Sequence, residues 1–253
     1  FLYYATRDTL FHFRGRRVSP TEHILHLAIG ITLFIAVSQA VAGNSGVMLS
    51  GLLLFVVAGG IDEYVWHRDI PEAESDLYAK EHLALLIFVV ATLAVNWLDS
   101  HNWRLFEEHP AATGGPVQPP EAIAASTFAG VSSRPPLWRT VLLPVFLLPY
   151  AYFGLSDNLQ HYRHRRIPWA ERIVHATIVL ALLTVVPHAL NGNCPVVIAG
   201  LVLFLMARSF DEWSFHRNLA GRESDLHAKT HFAFLAFVVL LMTVDWLTDQ
   251  SLA

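Results

Sequence analysis

The chain has 253 residues, of which 54% are hydrophobic and only 15% are charged, and its formal net charge at pH 7 is −4. This composition is too apolar for a soluble domain and not basic enough for a nucleic-acid-binding protein. The single cysteine, Cys194, excludes an internal disulfide framework. We therefore expect an integral membrane protein whose first partner is the lipid bilayer.

Long apolar runs recur along the chain. They cover roughly 23–42, 46–61, 83–98, 138–156, 173–190, 195–210 and 232–247. Each run, with its flanks, approaches the roughly 20 residues that a helix needs to cross about 30 Å of hydrocarbon. The sequence thus predicts an all-α membrane bundle with seven spans.

Segment 62–98 recurs at 211–247 with a constant offset of 149 residues and no insertion or deletion. The same offset matches Asp8, His12, Glu22 and His26 to Asp157, His161, Glu171 and His175. We therefore predict a tandem duplication of a four-helix repeat. Its parts are a first membrane repeat (1–104), an extramembrane connecting loop rich in Pro and Gly (105–136) and a second membrane repeat (137–253).

The second repeat has a full apolar helix ahead of Asp157, whereas only residues 1–6 precede Asp8. We expect the first helix to be truncated, with four spans per repeat in the natural protein; a processed N-terminus is the alternative. An even number of spans gives both repeats the same orientation. One face then collects fourteen of the seventeen Lys and Arg residues, and the positive-inside rule makes it cytoplasmic, in a membrane of the bacterial inner-membrane type.

Carboxylate and histidine residues recur four positions apart, as in Glu22 and His26 or Glu63 and His67. Residues at this spacing share one face of a helix, so each pair can present an oxygen and an imidazole nitrogen to one point. The candidate metal ligands are Asp8, His12, Glu22, His26, Glu63, His67, Glu74 and His82 in the first repeat, and Asp157, His161, Glu171, His175, Glu212, His216, Glu223 and His231 in the second. All lie near the cytoplasmic ends of their helices.

Among the carboxylates, Glu22, Glu63 and Glu74 are the preferred oxygen ligands, because each is a glutamate in both repeats. Asp62 is expected to orient a histidine from outside the ligand set. His227 has no histidine counterpart in the first repeat, so we expect it at the surface.

Mixed carboxylate and imidazole ligands from four helices suit divalent iron, with zinc or manganese as alternatives. The arrangement resembles the ferritin-like di-iron proteins, but their Glu and His are three residues apart and these are four. The HAKTH segment containing His227 and His231 resembles the histidine boxes of membrane desaturases and hydroxylases, but Tyr78 replaces the first histidine in the other repeat. No family is assigned on these grounds.

One functional hypothesis is a membrane-bound non-haem metal oxidoreductase with one di-iron-like carboxylate and histidine centre in each repeat, near the cytoplasmic face. It would act on an apolar or lipid-like substrate and receive electrons from a separate donor. A haem b or other tetrapyrrole clamped by His26 with His82, or by His175 with His231, is an alternative cofactor. A structural subunit of a larger membrane complex and a metal-ion transporter are alternatives of a different class.

The repeats differ where Gly59 and Gly60 of the first become Arg208 and Ser209 of the second. Arg208 lies four residues before Glu212, where a cation would compete with a metal for the carboxylate. The glycines leave room for a bound molecule. We expect unequal sites, with the first repeat the more reactive.

Overall fold

The computed structural model describes residues 2–15, 19–67, 72–100, 137–164, 167–216 and 221–252, and every regular element in these ranges is a helix. The helices are α1 (Leu2–Gly15), α2 (Pro20–Val41), α3 (Ser45–Ile61), which continues into one π-helical turn (Asp62–Trp66), α4 (Glu72–Ser100), α5 (Leu137–His164), α6 (Trp169–Leu190), α7 (Cys194–Ser214) and α8 (Gly221–Leu252). The all-α prediction is confirmed. The predicted connecting loop, 105–136, lies outside the described residues.

Seven of the described helices, α2 to α8, are long and apolar enough to cross a membrane. Large apolar side chains such as Phe34, Leu54 and Leu183 lie exposed on their outer faces. Such exposure is costly in water but expected of helices surrounded by lipid. The seven predicted spans are therefore confirmed as helices of spanning length, which indicates an integral membrane protein.

The start of α2 is fixed by a capping box. The Ser19 hydroxyl accepts a hydrogen bond from the Glu22 main-chain nitrogen at 3.2 Å, and the Glu22 carboxylate accepts one from the Ser19 nitrogen at 3.4 Å. Pro20 follows the cap, where its missing N–H costs nothing. These contacts hold Glu22 in the first turn of α2, buried under the rest of the bundle.

Two helical hairpins, α2–α3 and α6–α7, turn at glycines. Gly43 and Gly192 have φ angles of 73° and 71°, a conformation that L side chains rarely adopt. The hairpin helices approach closely at two other glycines. A Cβ on Gly51 would lie 3.0 Å from the Thr32 carbonyl oxygen, and one on Gly200 would lie 2.7 Å from a Val185 methyl group.

The last helices of the two halves, α4 (first half, 1–104) and α8 (second half, 137–253), pack against each other at the centre of the molecule. α1 packs against α4 and α5 against α8, whereas hairpin helix α3 contacts α8 and hairpin helix α7 contacts α4. Each hairpin therefore packs on the last helix of the other half. The Phe232 ring of α8 accordingly fills the space beside Gly59 and Gly60 on α3.

Polar contacts also cross between the halves. The Nδ1 of His82 lies 3.3 Å from the Ala228 carbonyl oxygen, and the Nδ1 of His231 lies 2.9 Å from that of Ala79. A carbonyl can only accept, so in each case the ring nitrogen donates. Each half supplies one histidine and one carbonyl, which gives the α4–α8 contact a twofold pattern.

Candidate metal centres

The first cluster consists of Glu22, His26, Asp62 and His67, whose ligand atoms all lie within 4.8 Å of one another. His26 Nε2 is 3.2 Å from Asp62 Oδ1, His67 Nδ1 is 3.5 Å from Asp62 Oδ2, and His67 Nε2 is 3.7 Å from Glu22 Oε1. α2 supplies Glu22 and His26 at the predicted spacing of four. The π-helical turn after α3 supplies Asp62, and His67 follows that turn directly.

The second cluster consists of Glu171, His175, Asp211 and His216, and meets the same 4.8 Å limit. The three matching distances are 3.4 Å from His175 Nε2 to Asp211 Oδ1, 3.6 Å from His216 Nδ1 to Asp211 Oδ2 and 3.5 Å from His216 Nε2 to Glu171 Oε1. Each residue stands 149 positions after its counterpart in the first cluster. The two clusters thus use the same donors, joined in the same pattern.

Asp62, and not Glu63, provides the third corner of the first cluster, contrary to the expectation that Glu63 is a ligand and Asp62 an outer partner. The reason is the π-helical turn, in which the His67 nitrogen donates to the Asp62 carbonyl oxygen five residues back, at 3.1 Å. This wider turn brings residues five apart onto one face. His216 makes the same bond to Asp211 at 3.2 Å, so Asp211 takes the place expected of Glu212.

Several other predicted ligands surround the clusters. His161 Nε2 lies 2.9 Å from His216 Nε2, and His161 Nδ1 lies 3.0 Å from Glu223 Oε1 and 3.4 Å from Asp157 Oδ1. Glu74 is buried but outside the described clusters, and His82 is committed to the Ala228 carbonyl. The side chains of Asp8 and His12 lie outside the described residues.

A third cluster consists of Glu212, His227 and His231, all buried and again within 4.8 Å of one another. The prediction that His227 is a surface residue is therefore wrong. Its Nε2 lies 2.9 Å from Glu212 Oε2, and its Nδ1 lies 3.0 Å from Asp157 Oδ2. The spacing of four between His227 and His231 was the sequence signal for this cluster, and the missing counterpart in the first half obscured it.

The surroundings of the first and second clusters differ. The Tyr78 hydroxyl lies 3.4 Å from His67 Nε2 and 3.5 Å from Asp62 Oδ2. In the second half, His227 stands in place of Tyr78, and its Nε2 lies 3.1 Å from His216 Nδ1. The two halves therefore place different groups against the same histidine and aspartate.

Arg208 adds a charge beside the second cluster. Its guanidinium donates to Asp211 Oδ2 at 3.0 Å and lies 4.0 Å from Asp157 Oδ2, so its direct partner is Asp211 and not the expected Glu212. The room expected at Gly59 and Gly60 is taken by Phe232. Open space is therefore no ground for a more reactive first half, whereas the competing cation lies beside Asp211, a residue of the second cluster, in place of Glu212.

His216 lies just beyond the end of α7. Burial, reinforced by the neighbouring His227, lowers its pKa to about 2. Its imidazole is therefore neutral at physiological pH, which is the form that binds a metal.

A cavity of about 320 Å³ opens between α5 and α6 beside the second cluster. Leu147, Ile178 and Leu182 form part of its apolar wall. Its polar end is lined by Asp157, His175 and Arg208. The cavity thus borders His175, a residue of the second cluster.

No protein-family model, no curated protein and no solved structure matches the chain. What can be said of its function follows from the helices that can span a membrane and from the buried His and carboxylate clusters that can hold metal ions.

Proposed function

We propose that the protein is an integral membrane metalloprotein built from two tandem repeats, each of which binds a divalent metal ion. The observation that carries the proposal is the match between the first and second clusters. Four buried or half-buried donors at a constant offset of 149 residues meet at distances that agree within about 0.2 Å. Burying two carboxylates side by side is costly unless a cation compensates their charge, so a metal explains why the pattern occurs twice.

Iron is the proposed metal. Two imidazoles and two carboxylates form a mixed nitrogen and oxygen donor set that suits Fe(II), and Zn(II) or Mn(II) would also fit. The carboxylates neutralise the two positive charges of such an ion. A bis-histidine haem is less well supported, because Asp62 and Asp211 lie against the rings of His26 and His175, where a porphyrin would have to sit.

The proposed activity is oxidation of an apolar or lipid-like substrate. The cavity supports it, because its apolar wall leads to His175. Oxygen or a peroxide would serve as the oxidant, and a separate electron donor in or at the membrane would complete the reaction. The alternative is that the protein is a subunit of a larger membrane complex, in which the same clusters bind metal ions but catalyse no oxidation.

Metal analysis of the purified protein tests the proposal. Replacing His67 by Ala should remove one metal ion and leave the second cluster filled, and His216→Ala should do the reverse. His188→Ala, at a half-buried position in the last turn of α6 and outside the clusters, is the matched control and should change nothing. Unchanged metal content in His67→Ala and His216→Ala would exclude both clusters as metal sites. An optical spectrum of the same sample separates iron, haem and colourless zinc.

We also propose that the Arg-rich face is cytoplasmic, on the basis of the positive-inside rule. In a Cys194→Ser background, Gly115→Cys should react with an impermeant thiol reagent added from outside the cell, and Ile70→Cys should react only after permeabilisation. The opposite labelling pattern would invert the orientation and leave the metal proposal untouched.

A further inference from the structure

We infer that the third cluster is an additional metal site that only the second half possesses, so that the chain holds one metal ion in its first half and two in its second. The site would take a divalent ion on Glu212, His227 and His231. The inference stands on its own geometry, whether or not the first two clusters are filled.

The ligands are well placed for a single ion. α7 supplies Glu212, and α8 supplies His227 and His231 from one face, one turn apart. The three side chains are at most 1% exposed. An ion here would be held by rigid helices and screened from water, which favours strong coordination.

The hydrogen bond made by His231 leaves its Nε2 available to bind a metal. His231 donates its Nδ1 proton to the Ala79 carbonyl oxygen at 2.9 Å, so its Nε2 carries a lone pair. This Nε2 is buried and has no hydrogen-bond partner among the described residues. Histidine ligands in metalloproteins usually donate their second nitrogen to a carbonyl or carboxylate in this manner.

The Nδ1 of His227 likewise faces an acceptor, which leaves its Nε2 toward the proposed ion. Its Nδ1 faces Asp157 Oδ2 at 3.0 Å, and its Nε2 faces Glu212 Oε2 at 2.9 Å. A carboxylate thus faces each ring nitrogen, and His216 Nδ1 is a further neighbour of Nε2 at 3.1 Å. The ring therefore needs a cation on the Glu212 side, either a second proton of its own or a metal ion. The unpartnered Nε2 of His231 favours the metal, because a proton on His227 would leave that nitrogen unused.

Two imidazoles and one carboxylate with open positions form a donor set of catalytic zinc and of non-haem iron sites. The other Glu212 oxygen lies 3.5 Å from Lys80, which is itself paired with Asp76. Lys80 comes from the first half, so the site borders the contact between the two halves.

One ring connects the third cluster to the second. His216 Nε2 lies 3.5 Å from Glu171 Oε1, and its Nδ1 lies 3.1 Å from His227 Nε2. Ions in the two clusters would therefore be neighbours with an imidazole between them. In the first half, the neutral phenol of Tyr78 replaces the imidazole of His227, and the corresponding trio Glu63, Tyr78 and His82 forms no such cluster among the described residues.

Metal content per chain tests the inference. The wild-type protein, loaded with Fe(II) or Zn(II) in turn, should bind three equivalents, and His227→Tyr, which copies the first half, should bind two. His231→Asn keeps a polar side chain and should lose the same equivalent, so the double variant should also bind two. Monodispersity in detergent and helix content by circular dichroism would show that each variant is folded.

Two equivalents in the wild type, unchanged in either variant, would overturn the inference and leave His227 as a protonated histidine between two carboxylates. The result also separates the two proposals. If His67→Ala and His216→Ala changed nothing while His227→Tyr removed an equivalent, the third cluster would be a site and the first two would not.

Discussion

The first and second clusters share four ligand positions and yet lie in different electrostatic surroundings. The first has the Tyr78 hydroxyl against His67 and glycine at position 59, whereas the second has His227 against His216 and the Arg208 guanidinium on Asp211. The shared positions set where the donors meet. The neighbours then determine how much charge each site offers to an ion, so equal ligands need not give equal affinities.

The largest effect on metal affinity is expected when the two adjacent carboxylates of the first half are replaced by their amides, one at a time. Asp62→Asn removes an oxygen donor of the first cluster, and we expect metal affinity there to fall by more than about 100-fold, since loss of an outer partner alone costs about 10–100-fold. Glu63→Gln should retain the ion, because Glu63 is equally buried but lies outside the cluster. Titration with a metal indicator, with the second cluster disabled by His216→Ala and the third by His231→Asn, measures both.

The same pair of variants tests the π-helical turn. If Glu63→Gln abolished binding and Asp62→Asn did not, residues four apart would be the ligands and the wider turn would have no role in the site. The corresponding pair in the second half, Asp211→Asn and Glu212→Gln, is less decisive, since Glu212 belongs to the third cluster.

A smaller effect on metal affinity should follow from removing the Arg208 guanidinium, which lies beside the second cluster only. Arg208→Gln removes a cation that competes with a metal for Asp211 while retaining a hydrogen-bond donor. We expect affinity at the second cluster to rise by about tenfold, as for a change of about one pKa unit on a ligand. Calorimetric titration at the second cluster, with the first disabled by His67→Ala and the third by His231→Asn, measures it.

Arg163→Gln is the control for this prediction, because Arg163 is exposed on the same half. An equal gain in both variants would show that overall charge, and not the Arg208–Asp211 contact, sets the affinity. A loss of affinity in Arg208→Gln would mean that the guanidinium positions Asp211 for the ion.

The smallest effect concerns the hairpins that carry the clusters. Alanine at Gly51 meets the main chain of α2, including the Ala36 nitrogen at 3.1 Å. Alanine at Gly200 comes closest to a Val185 methyl group, at 2.7 Å, and its nearest main-chain atoms are 3.6 Å away. Overpacking costs about 1–3 kcal/mol, and a main chain yields less than a methyl group. We expect Gly51→Ala to destabilise more than Gly200→Ala, by about 1 kcal/mol.

Thermal unfolding in one detergent gives the ranking, with Gly30→Ala as the control, because a Cβ there meets nothing within 4 Å. Equal losses from Gly51→Ala and Gly200→Ala would show that the two hairpins adjust alike. The difference in their packing would then have no consequence for thermal stability.

The sequence was most informative where regular geometry applies. Seven apolar runs became seven helices, and Glu22 with His26 meets on one face because four residues make nearly one turn of α2. The spacing of four did not place Glu63 in the first cluster, because the local sequence pattern does not predict a main-chain bond from residue 67 back to residue 62. The position of His227 depends on its partner Asp157, which α5 brings to α8 only when the helices pack. Arg208 instead contacts Asp211 on its own helix, where a spacing of three competes with the expected spacing of four to Glu212.

The reciprocal bonds between α4 and α8 have a consequence for biosynthesis. His82 and Ala228 are 146 residues apart and His231 and Ala79 are 152 apart, so α4 leaves the ribosome long before its partner exists. At the usual rates of translation the delay is roughly 7–30 s. During it, the buried polar groups of α4, including His82 and Ser75, face lipid or headgroups without the neighbours that later cover them. Docking of the completed halves is then the late step in maturation, and a nascent first half is the form most exposed to membrane chaperones and proteases.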